Sequence, residues 1–445
     1  MVNALLKFFA PAPPAPVTLT DEAQIKNGFS HWQRQILIST IIGYATFYLV
    51  RKNLSAAMPV LNSDLGFSEE ALGVFLTAHG VIYGISKFAN GFLGDRCNAR
   101  AIMVTGLVAS AAMNVLFGTS SGLWTLGIFW MLNGWFQGMG FPPCARLLTH
   151  WFPPKILATR MAVWNSSHCI GAGIILVGGT YLAAINWRLS FIVPALVAAL
   201  CAVFLWRTLP DTPQSVGLPE TEGTQSKDTS IQQHDFWIVL RKYVFTNKYI
   251  WLLALANFFV YVLRYAVLDW GPTLLTKYKH VELTHSGWMV FGFEFAGLIG
   301  GLLGGWITQK FFGGRCFRAC MFFMAMASVS MWAFWKLGGE SKIANTLLLC
   351  VTGFFIYGPQ CLVGIAAANL ATKQAAASSV GLTGLFGYAS TVLSGWGLGR
   401  LVKYKGWDAG FELLLGVAVV GTFLFALGWF AKAHGYADER EKVSA

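Results

Sequence analysis

The stretch YATFYLVRKNLS (residues 44–55) places two adjacent cations, Arg51 and Lys52, inside a long apolar segment. A charged side chain at the centre of a bilayer costs about 2.5–3.5 kcal/mol on insertion scales, so such residues usually have a functional partner. Another arginine, Arg264, lies within FFVYVLRYAVLDW in the second half of the chain. Cations in these positions indicate an anionic ligand that crosses a membrane.

The composition is typical of a polytopic α-helical membrane protein. Of the 445 residues, 55% are hydrophobic and 12% are charged, whereas soluble domains contain about 25% charged residues. Apolar runs long enough to cross a hydrocarbon core of about 30 Å recur along the whole chain. We therefore expect an all-α integral membrane protein in a lipid bilayer.

The net charge of +12 does not indicate nucleic-acid binding, because the sequence leaves no soluble domain to hold a basic face. Most lysines and arginines fall in short loops between spans, which orients a membrane protein with its positive loops inside. The eight cysteines have no metal-ligand spacing, and there is no nucleotide-binding loop or activated nucleophile. We expect no cofactor, no metal and no enzymatic activity.

We predict twelve membrane-spanning helices, at about 35–59, 70–94, 101–119, 122–147, 158–184, 188–207, 248–275, 285–311, 318–337, 342–369, 375–400 and 408–432. A polar stretch rich in Pro, Thr, Ser and Gln separates the sixth span from the seventh and has linker composition. The predicted organisation is two pseudo-symmetric six-helix halves, with the following bounds: 1–34 (cytoplasmic tail), 35–208 (N-terminal half), 209–247 (cytoplasmic linker), 248–432 (C-terminal half) and 433–445 (cytoplasmic tail).

Helical spacing predicts one polar stripe in the first span, formed by Tyr44, Tyr48, Arg51 and Ser55. A guanidinium flanked by hydroxyls suits a phosphate or carboxylate, because arginine offers a planar fork of donors. A structural interpretation is that Arg51 pairs with an internal acid and only holds helices together. Lys52, on the neighbouring face, either adds positive field to the site or meets a structural partner.

The seventh span repeats the pattern, with Asn257, Tyr261 and Arg264 on one stripe. Asp269 lies about 140° around the helix from Arg264 and is a poor partner for it on that helix, which favours an external anion. Asp269 itself is either an interfacial or a gate residue.

Three further titratable residues lie inside apolar spans. Lys87 follows Tyr83 by four residues and either contacts the substrate or pairs with Glu294. Glu294 is the most deeply placed acid, and acids in such positions can be proton sites. His168, in VWNSSHCIGAG, either matches the charge state of a phosphate ligand or is satisfied by a neighbouring hydroxyl. Together with the residues above, the predicted site lining comprises Tyr44, Tyr48, Lys52, Tyr83, Lys87, Asn165, His168, Tyr261, Asp269, Glu294, Tyr357 and Tyr388.

Two other features predict where the chain bends and how it is gated. The fourth span should be bent by Gly138, Gly140, Pro142 and Pro143. Gly358–Pro359 should break the tenth. GFLGDRCNAR (91–100) matches the loop motif of the major facilitator superfamily, in which Asp95, Arg96 and Arg100 are expected to hold one gating arrangement.

Eight segments together resemble the organophosphate:phosphate antiporter family of that superfamily: YLVRKN, YGISKF, GDRCNAR, WFQGMGFPPC, DTPQSVGLP, VYVLRYAVLDW, YGPQCLVG and GLTGLFGY. The resemblance implies a twelve-helix fold that exchanges an organic phosphate for inorganic phosphate by rocking its halves. It also implies that Arg51 and Arg264 clamp the phosphate, and that His168 and Lys87 are the family's histidine and lysine.

The family branch that the sequence most resembles is that of the hexose-phosphate sensor-transporters, on the stretches HWQRQIL, SDLGFS, DRCNAR, CARLLTHW and NKYIWLL. This resemblance favours glucose 6-phosphate as the substrate. VGLTG (380–384) lacks the charges of some hexose-phosphate transporters, so glycerol 3-phosphate is the alternative. The residues are also compatible with a sensor that signals to a membrane histidine kinase, or with a proton-coupled facilitator that uses Glu294 or His168. We expect a monomer in the cell inner membrane, with both termini cytoplasmic.

Overall fold

A computed structural model of the chain describes residues 7–221, 241–337, 339, 341–371 and 376–431, apart from the side chains of residues 92, 94–96, 154, 155, 158, 242, 243, 376 and 377. The described residues contain no β-strand. They form two compact units, with Met1–Val60 and Ile82–Lys227 in the first and Leu61–Val81 and Asp228–Ala445 in the second. The linker boundary predicted at 209–247 falls partly outside the described residues and stays a prediction.

The helices that contribute to the first unit come from the first half of the chain. They are α1 Glu22–Leu49, α2 Asn53–Leu65, α3 Glu69–Arg96, α4 Ala99–Thr119, α5 Leu123–Gln137, α6 Phe141–Trp151, α7 Pro154–Asn165, α8 Ser167–Ile185 and α9 Leu189–Thr208. The end of α2 and the start of α3 belong to the second unit.

The other helices of the second unit follow the predicted linker. They are α10 Lys248–Lys277, α11 Leu283–Phe312, α12 Cys316–Lys336, α13 Lys342–Leu370, α14 Ala376–Ala389 and α15 Leu398–Leu427. A π-helical turn, Val392–Gly397, joins α14 to α15. Gly406 lies in the left-handed region with φ 78° and divides α15 at the point where the predicted eleventh and twelfth spans meet.

Nine stretches of the described residues are long and apolar enough to cross a membrane. Eight of them coincide with single predicted spans, and the ninth, Ser378–Leu427, covers the eleventh and twelfth together. The first and fourth predicted spans are not in this set, and each is divided between two helices.

The first span differs from the predicted uninterrupted helix over 35–59. The helix begins earlier, at Glu22, where the carboxylate of Asp21 accepts a hydrogen bond from the backbone of Gln24 at 3.3 Å. It then stops at Leu49, and a new helix starts only at Asn53. The intervening residues carry Arg51 and Lys52 and include neither proline nor glycine, so side chains from elsewhere must impose the break.

Of the two bends predicted from glycine and proline, one is confirmed. The fourth span does break between α5 and α6, and a Cβ on Gly138 would lie 2.7 Å from the backbone nitrogen of Lys87. The predicted break at Gly358–Pro359 is wrong, because α13 continues through Pro359. Gly358 instead makes room for a ring, since a Cβ there would lie 2.5 Å from Phe323.

The start of the predicted linker is packed against the first unit through Asp211. Its fully buried carboxylate pairs with Arg146 at 3.0 Å and accepts hydrogen bonds from the backbone of Ala99 at 2.9 Å and of Ala12 at 3.1 Å. A carboxylate with a cation and two backbone donors satisfies most of its acceptor capacity, which is the condition for burying it. This contact fixes the start of α4 and the N-terminal segment to the same point.

A segment from the first half of the sequence is tied to the second unit by ion pairs. We call residues Leu61–Val81 the clasp segment. The Nζ atom of Lys277, at the end of α10, lies 2.6 Å from a carboxylate oxygen of Glu69. The Nζ atom of Lys403, on α15, lies 2.8 Å from a carboxylate oxygen of Glu70. All four charged groups are partly exposed.

Backbone contacts extend the same attachment along the clasp segment. The hydroxyl of Thr77 donates to the carbonyl of Thr391 at 2.8 Å and accepts from the backbone nitrogen of Trp396 at 2.8 Å. Gly73 approaches the π-helical turn so closely that a Cβ would lie 2.6 Å from the carbonyl oxygen of Gly395. Gly73 and Gly395 both lack a side chain, and this permits the close approach of the two backbones.

Candidate functional site

The first buried cation lies in the break between α1 and α2. Arg51 is only 7% exposed, and its guanidinium carbon lies 3.8 Å from the ring centroid of Tyr83 and 5.2 Å from that of Tyr48. The predicted stripe with Ser55 is therefore wrong as a feature of one continuous helix, because the helix is interrupted at its centre. Tyr48 and Arg51 still come together. Lys52, 5% exposed, lies beside Arg51 in the same break.

An aromatic cluster adjoins this break and carries the predicted lysine. The ring of Tyr44 lies 5.6 Å from Tyr48, 4.9 Å from Trp164 and 6.1 Å from Phe141. The Nζ atom of Lys87 lies 3.8 Å from the centroid of Phe141, a distance at which an ammonium is attracted to the face of the ring. The structure therefore brings the predicted tyrosines and Lys87 to one side of the first unit.

Two members of that cluster are absent from the residues predicted above. Trp164 is one helical turn before His168, and its position in the same polar motif is the signal that could identify it. Phe141 begins α6 directly after the glycine-rich bend. Aromatic residues are so frequent along this chain that the sequence alone does not mark Phe141 as a site residue.

His168 lies at the start of α8, where the fifth span is interrupted after Asn165. Its Nδ1 forms a hydrogen bond with the backbone carbonyl of Asn165, and its Nε2 lies 3.3 Å from the thiol of Cys169. A carbonyl only accepts, so Nδ1 carries a proton. The ring is 5.7 Å from Tyr48, which joins His168 to the cluster, whereas the side chain of Asn165 is exposed.

The second unit contains a hydrogen-bonded chain that ends on the second arginine. Arg264, on α10 and 3% exposed, donates from Nε to the hydroxyl of Tyr357 on α13 at 3.0 Å. That hydroxyl donates in turn to the carboxylate of Glu294 on α11, which is fully buried. Glu294 therefore compensates part of the arginine's charge through a phenol, a link that the sequence does not predict.

The same arginine is surrounded by tyrosine rings. Its guanidinium carbon lies 4.8 Å from the centroid of Tyr357, 5.7 Å from Tyr265 and 6.0 Å from Tyr261. Tyr388, on α14, contacts Tyr261 at 6.2 Å. Buried arginines in both units are thus placed against tyrosine faces, which attract a cation without neutralising it.

The remaining predicted residues are Asp269 and the gating residues Asp95, Arg96 and Arg100. Asp269 is 7% exposed and lies toward the end of α10, so it is buried rather than at an open surface. Of the predicted gating residues, the side chains of Asp95 and Arg96 lie outside the described residues. Arg100 stacks on Trp206, with 4.5 Å between the guanidinium carbon and the ring centroid.

These features define a multi-pass membrane protein with a buried arginine among tyrosine rings in each unit. The profile of the Major Facilitator Superfamily matches residues 40–395, and the chain belongs to this family. The fold is shared with a bacterial homolog of the human lysosomal transporter Spinster, at a TM-score of 0.75, 15% identity and coverage of 91% of this chain and 98% of that one. The predicted all-α facilitator fold is confirmed.

Relatives that align over more than nine tenths of the chain show to which branch of the superfamily it belongs. The chain is 37% identical to the glycerol-3-phosphate transporter of Bacillus subtilis, with 96% of this chain and 98% of that protein covered. It is 36% identical to the probable hexose phosphate transport protein of Chlamydia pneumoniae (97% and 98% covered) and 35% identical to the membrane sensor protein UhpC of Escherichia coli (92% and 95% covered). These relatives place it in the organophosphate:phosphate antiporter branch, as the motifs predict.

The Arg264–Tyr357–Glu294 chain gives the first prediction. Tyr357→Phe removes the hydroxyl that donates to a buried carboxylate, and we expect the free energy of unfolding to fall by about 1–3 kcal/mol. Unfolding of the purified protein in detergent measures the change. In the Glu294→Gln background the cost of Tyr357→Phe should shrink, because the charged acceptor is no longer present.

Tyr249→Phe is the matched control. Tyr249 also lies on α10 and contacts Phe317 through its ring, and within the described residues its hydroxyl has no hydrogen-bond partner. We expect this change to stay within about 0.5 kcal/mol of the wild type. Equal losses from Tyr357→Phe and Tyr249→Phe would contradict the chain.

Proposed function

We propose that the protein exchanges a phosphorylated organic substrate for inorganic phosphate by alternating access in the cell inner membrane, with both termini cytoplasmic. The observation that carries this proposal is a buried arginine against tyrosine faces in each unit, Arg51 in the first and Arg264 in the second. Glucose 6-phosphate is the proposed substrate, and glycerol 3-phosphate is the alternative that the relative from Bacillus subtilis favours.

The chemistry of the guanidinium supports a phosphate ligand. Arginine stays protonated in any protein environment and presents several N–H donors in one plane, which match two oxygens of a phosphate. Lys87 and His168 add donors to the first unit, near the tyrosines that contact Arg51. A dianionic phosphate is the ligand class that this concentration of positive charge and donors fits best.

The buried positive charges also favour exchange of one anion for another over net transport in one direction. Positive charge buried in each unit favours conformations that are reached with an anion bound, and it disfavours them when the carrier is empty. A carrier of this kind completes its cycle in both directions only when loaded. The prediction that one phosphate is held by Arg51 and Arg264 together stays part of this proposal.

A sensor of external hexose phosphate is the second candidate. The 35% identity to the membrane sensor protein UhpC favours it, since sensing and transport require the same ligand contacts. A sensor binds the phosphate but does not exchange it, and in that case a membrane histidine kinase is the proposed partner.

The clasp segment supplies a conformational element for alternating access. We propose that the pairs Glu69–Lys277 and Glu70–Lys403 stabilise one of the two access states and break once in each cycle. Partly exposed ion pairs are screened by solvent and add little stability, so substrate binding can reverse them. The clasp is therefore suited to a switch.

Substitution of each arginine by lysine tests the proposed function. Lysine keeps the charge but loses the planar fork, so we expect Arg51→Lys and Arg264→Lys each to lower the exchange of radiolabelled phosphate in proteoliposomes by about 10- to 100-fold. Arg188→Lys is the control, because Arg188 donates to the carbonyls of Gly118 and Ser120 at the C-terminal end of α4.

The control should keep exchange within about twofold of the wild type. Full exchange by either lysine variant would contradict the proposal. Phosphate binding by the wild-type protein without any exchange would support the sensor instead.

Glu69→Gln tests the clasp. Loss of the ion pair to Lys277 should raise the population with the clasp open by about two- to fivefold, as expected for up to 1 kcal/mol. The measurement is the labelling rate of Leu72→Cys, in a cysteine-free variant, by a membrane-impermeant maleimide. Leu72 is fully buried in the clasp segment and takes part in none of the side-chain bonds that hold it.

Glu282→Gln is the matched control for that change. Hydrogen bonds from Thr284 and His285 hold the pKa of Glu282 below its usual value, so the same charge is removed at an exposed position outside the clasp. The proposal would be wrong if both variants left the labelling rate at the wild-type value.

A further inference from the structure

The break that carries Arg51 is surrounded by buried amides. The carbonyl oxygen of Val50, the residue before Arg51, accepts a hydrogen bond from Asn133 at 2.9 Å and another from Asn114 at 3.1 Å. In an uninterrupted helix this oxygen would accept from the backbone nitrogen of Leu54, four residues on. The two side chains therefore occupy the acceptor that a continuous helix would use.

A third asparagine fixes the other side of the break. Asn53, the first residue of α2, donates from Nδ2 to the side-chain oxygen of Asn114 at 2.7 Å and to the carbonyl of Ser190 at 3.0 Å. Asn114 also donates to the carbonyl of Ser110 at 2.9 Å, so its amide is fully used. These hydrogen bonds hold the start of α2 to α4 and α9. All three asparagines are completely buried.

The orientation of Asn133 shows which of its groups matters. Its nitrogen donates to Val50, while its oxygen has no partner among the described residues. The residue is placed for one hydrogen bond, and that bond acts on the break.

We infer that Asn114 and Asn133 are positioning residues that keep the helix open at Val50 and thereby set the place of the Arg51 guanidinium over Tyr83. They act on the ligand only through Arg51, so this inference rests on the proposed phosphate-binding role of that arginine. If a hydrogen bond from Leu54 to Val50 closed the break, α1 and α2 would form one continuous helix. The side chain of Arg51 would then point in a different direction around the helix axis.

The test measures binding of inorganic phosphate to the full-length purified protein, together with its melting temperature without phosphate. We expect Asn133→Leu to bind phosphate about tenfold more weakly than the wild type. Asn345→Leu is the matched control, because Asn345 is also buried, donates to one carbonyl and has an oxygen without a partner among the described residues, but lies on α13 in the second unit. We expect the control to bind like the wild type, and the two variants to melt alike.

A rescue variant separates positioning from general damage. Leu54→Pro removes the backbone N–H that would close the helix onto Val50, and proline is tolerated in a first helical turn, as Pro142 and Pro143 show in α6. Combined with Asn133→Leu, it should restore most of the phosphate affinity. A structural role for Asn133 does not predict this recovery.

The outcomes are distinct. Phosphate binding by Asn133→Leu equal to that of Asn345→Leu would overturn the inference, and so would a loss that Leu54→Pro leaves unchanged. Wild-type phosphate affinity in Arg51→Lys would overturn the proposed function instead, whatever Asn133→Leu does.

Discussion

A guanidinium held among apolar helices is the constraint on which the rest of this structure depends. Charge at such depth requires compensation, and each unit places tyrosine faces against its arginine. Tyrosine rings attract the cation but leave it charged. That charge is what an anionic ligand would bind.

The position of both arginines is predictable from sequence, because an arginine in an apolar span is conspicuous by its cost. The spans are also predictable from sequence, because their length and hydropathy are local properties. The motifs add the family, which the matched profile and the relatives confirm. Local chemistry therefore identifies the fold and the two buried arginines.

The break at residues 50–52 is not predictable in this way. Helix interruptions are usually marked by proline or glycine, and this one has neither. Its causes are Asn114 and Asn133, which lie more than 60 residues away in sequence and reach Val50 only after α4 and α5 have packed. The link from Arg264 to Glu294 through Tyr357 is equally non-local, because it joins three helices. The stripe predicted in the first span assumes an unbroken helix, and the structure interrupts that helix within the stripe.

The central claim is that the carrier changes its access state only with an anion bound near the arginines. The empty carrier does not make this change. Uptake of radiolabelled glucose 6-phosphate and glycerol 3-phosphate into proteoliposomes, with and without phosphate inside, tests it most directly. We expect uptake of at least one of the two only into phosphate-loaded vesicles, unchanged when the pH gradient is dissipated. Equal uptake into empty vesicles, or uptake that collapses with the pH gradient, would contradict the claim.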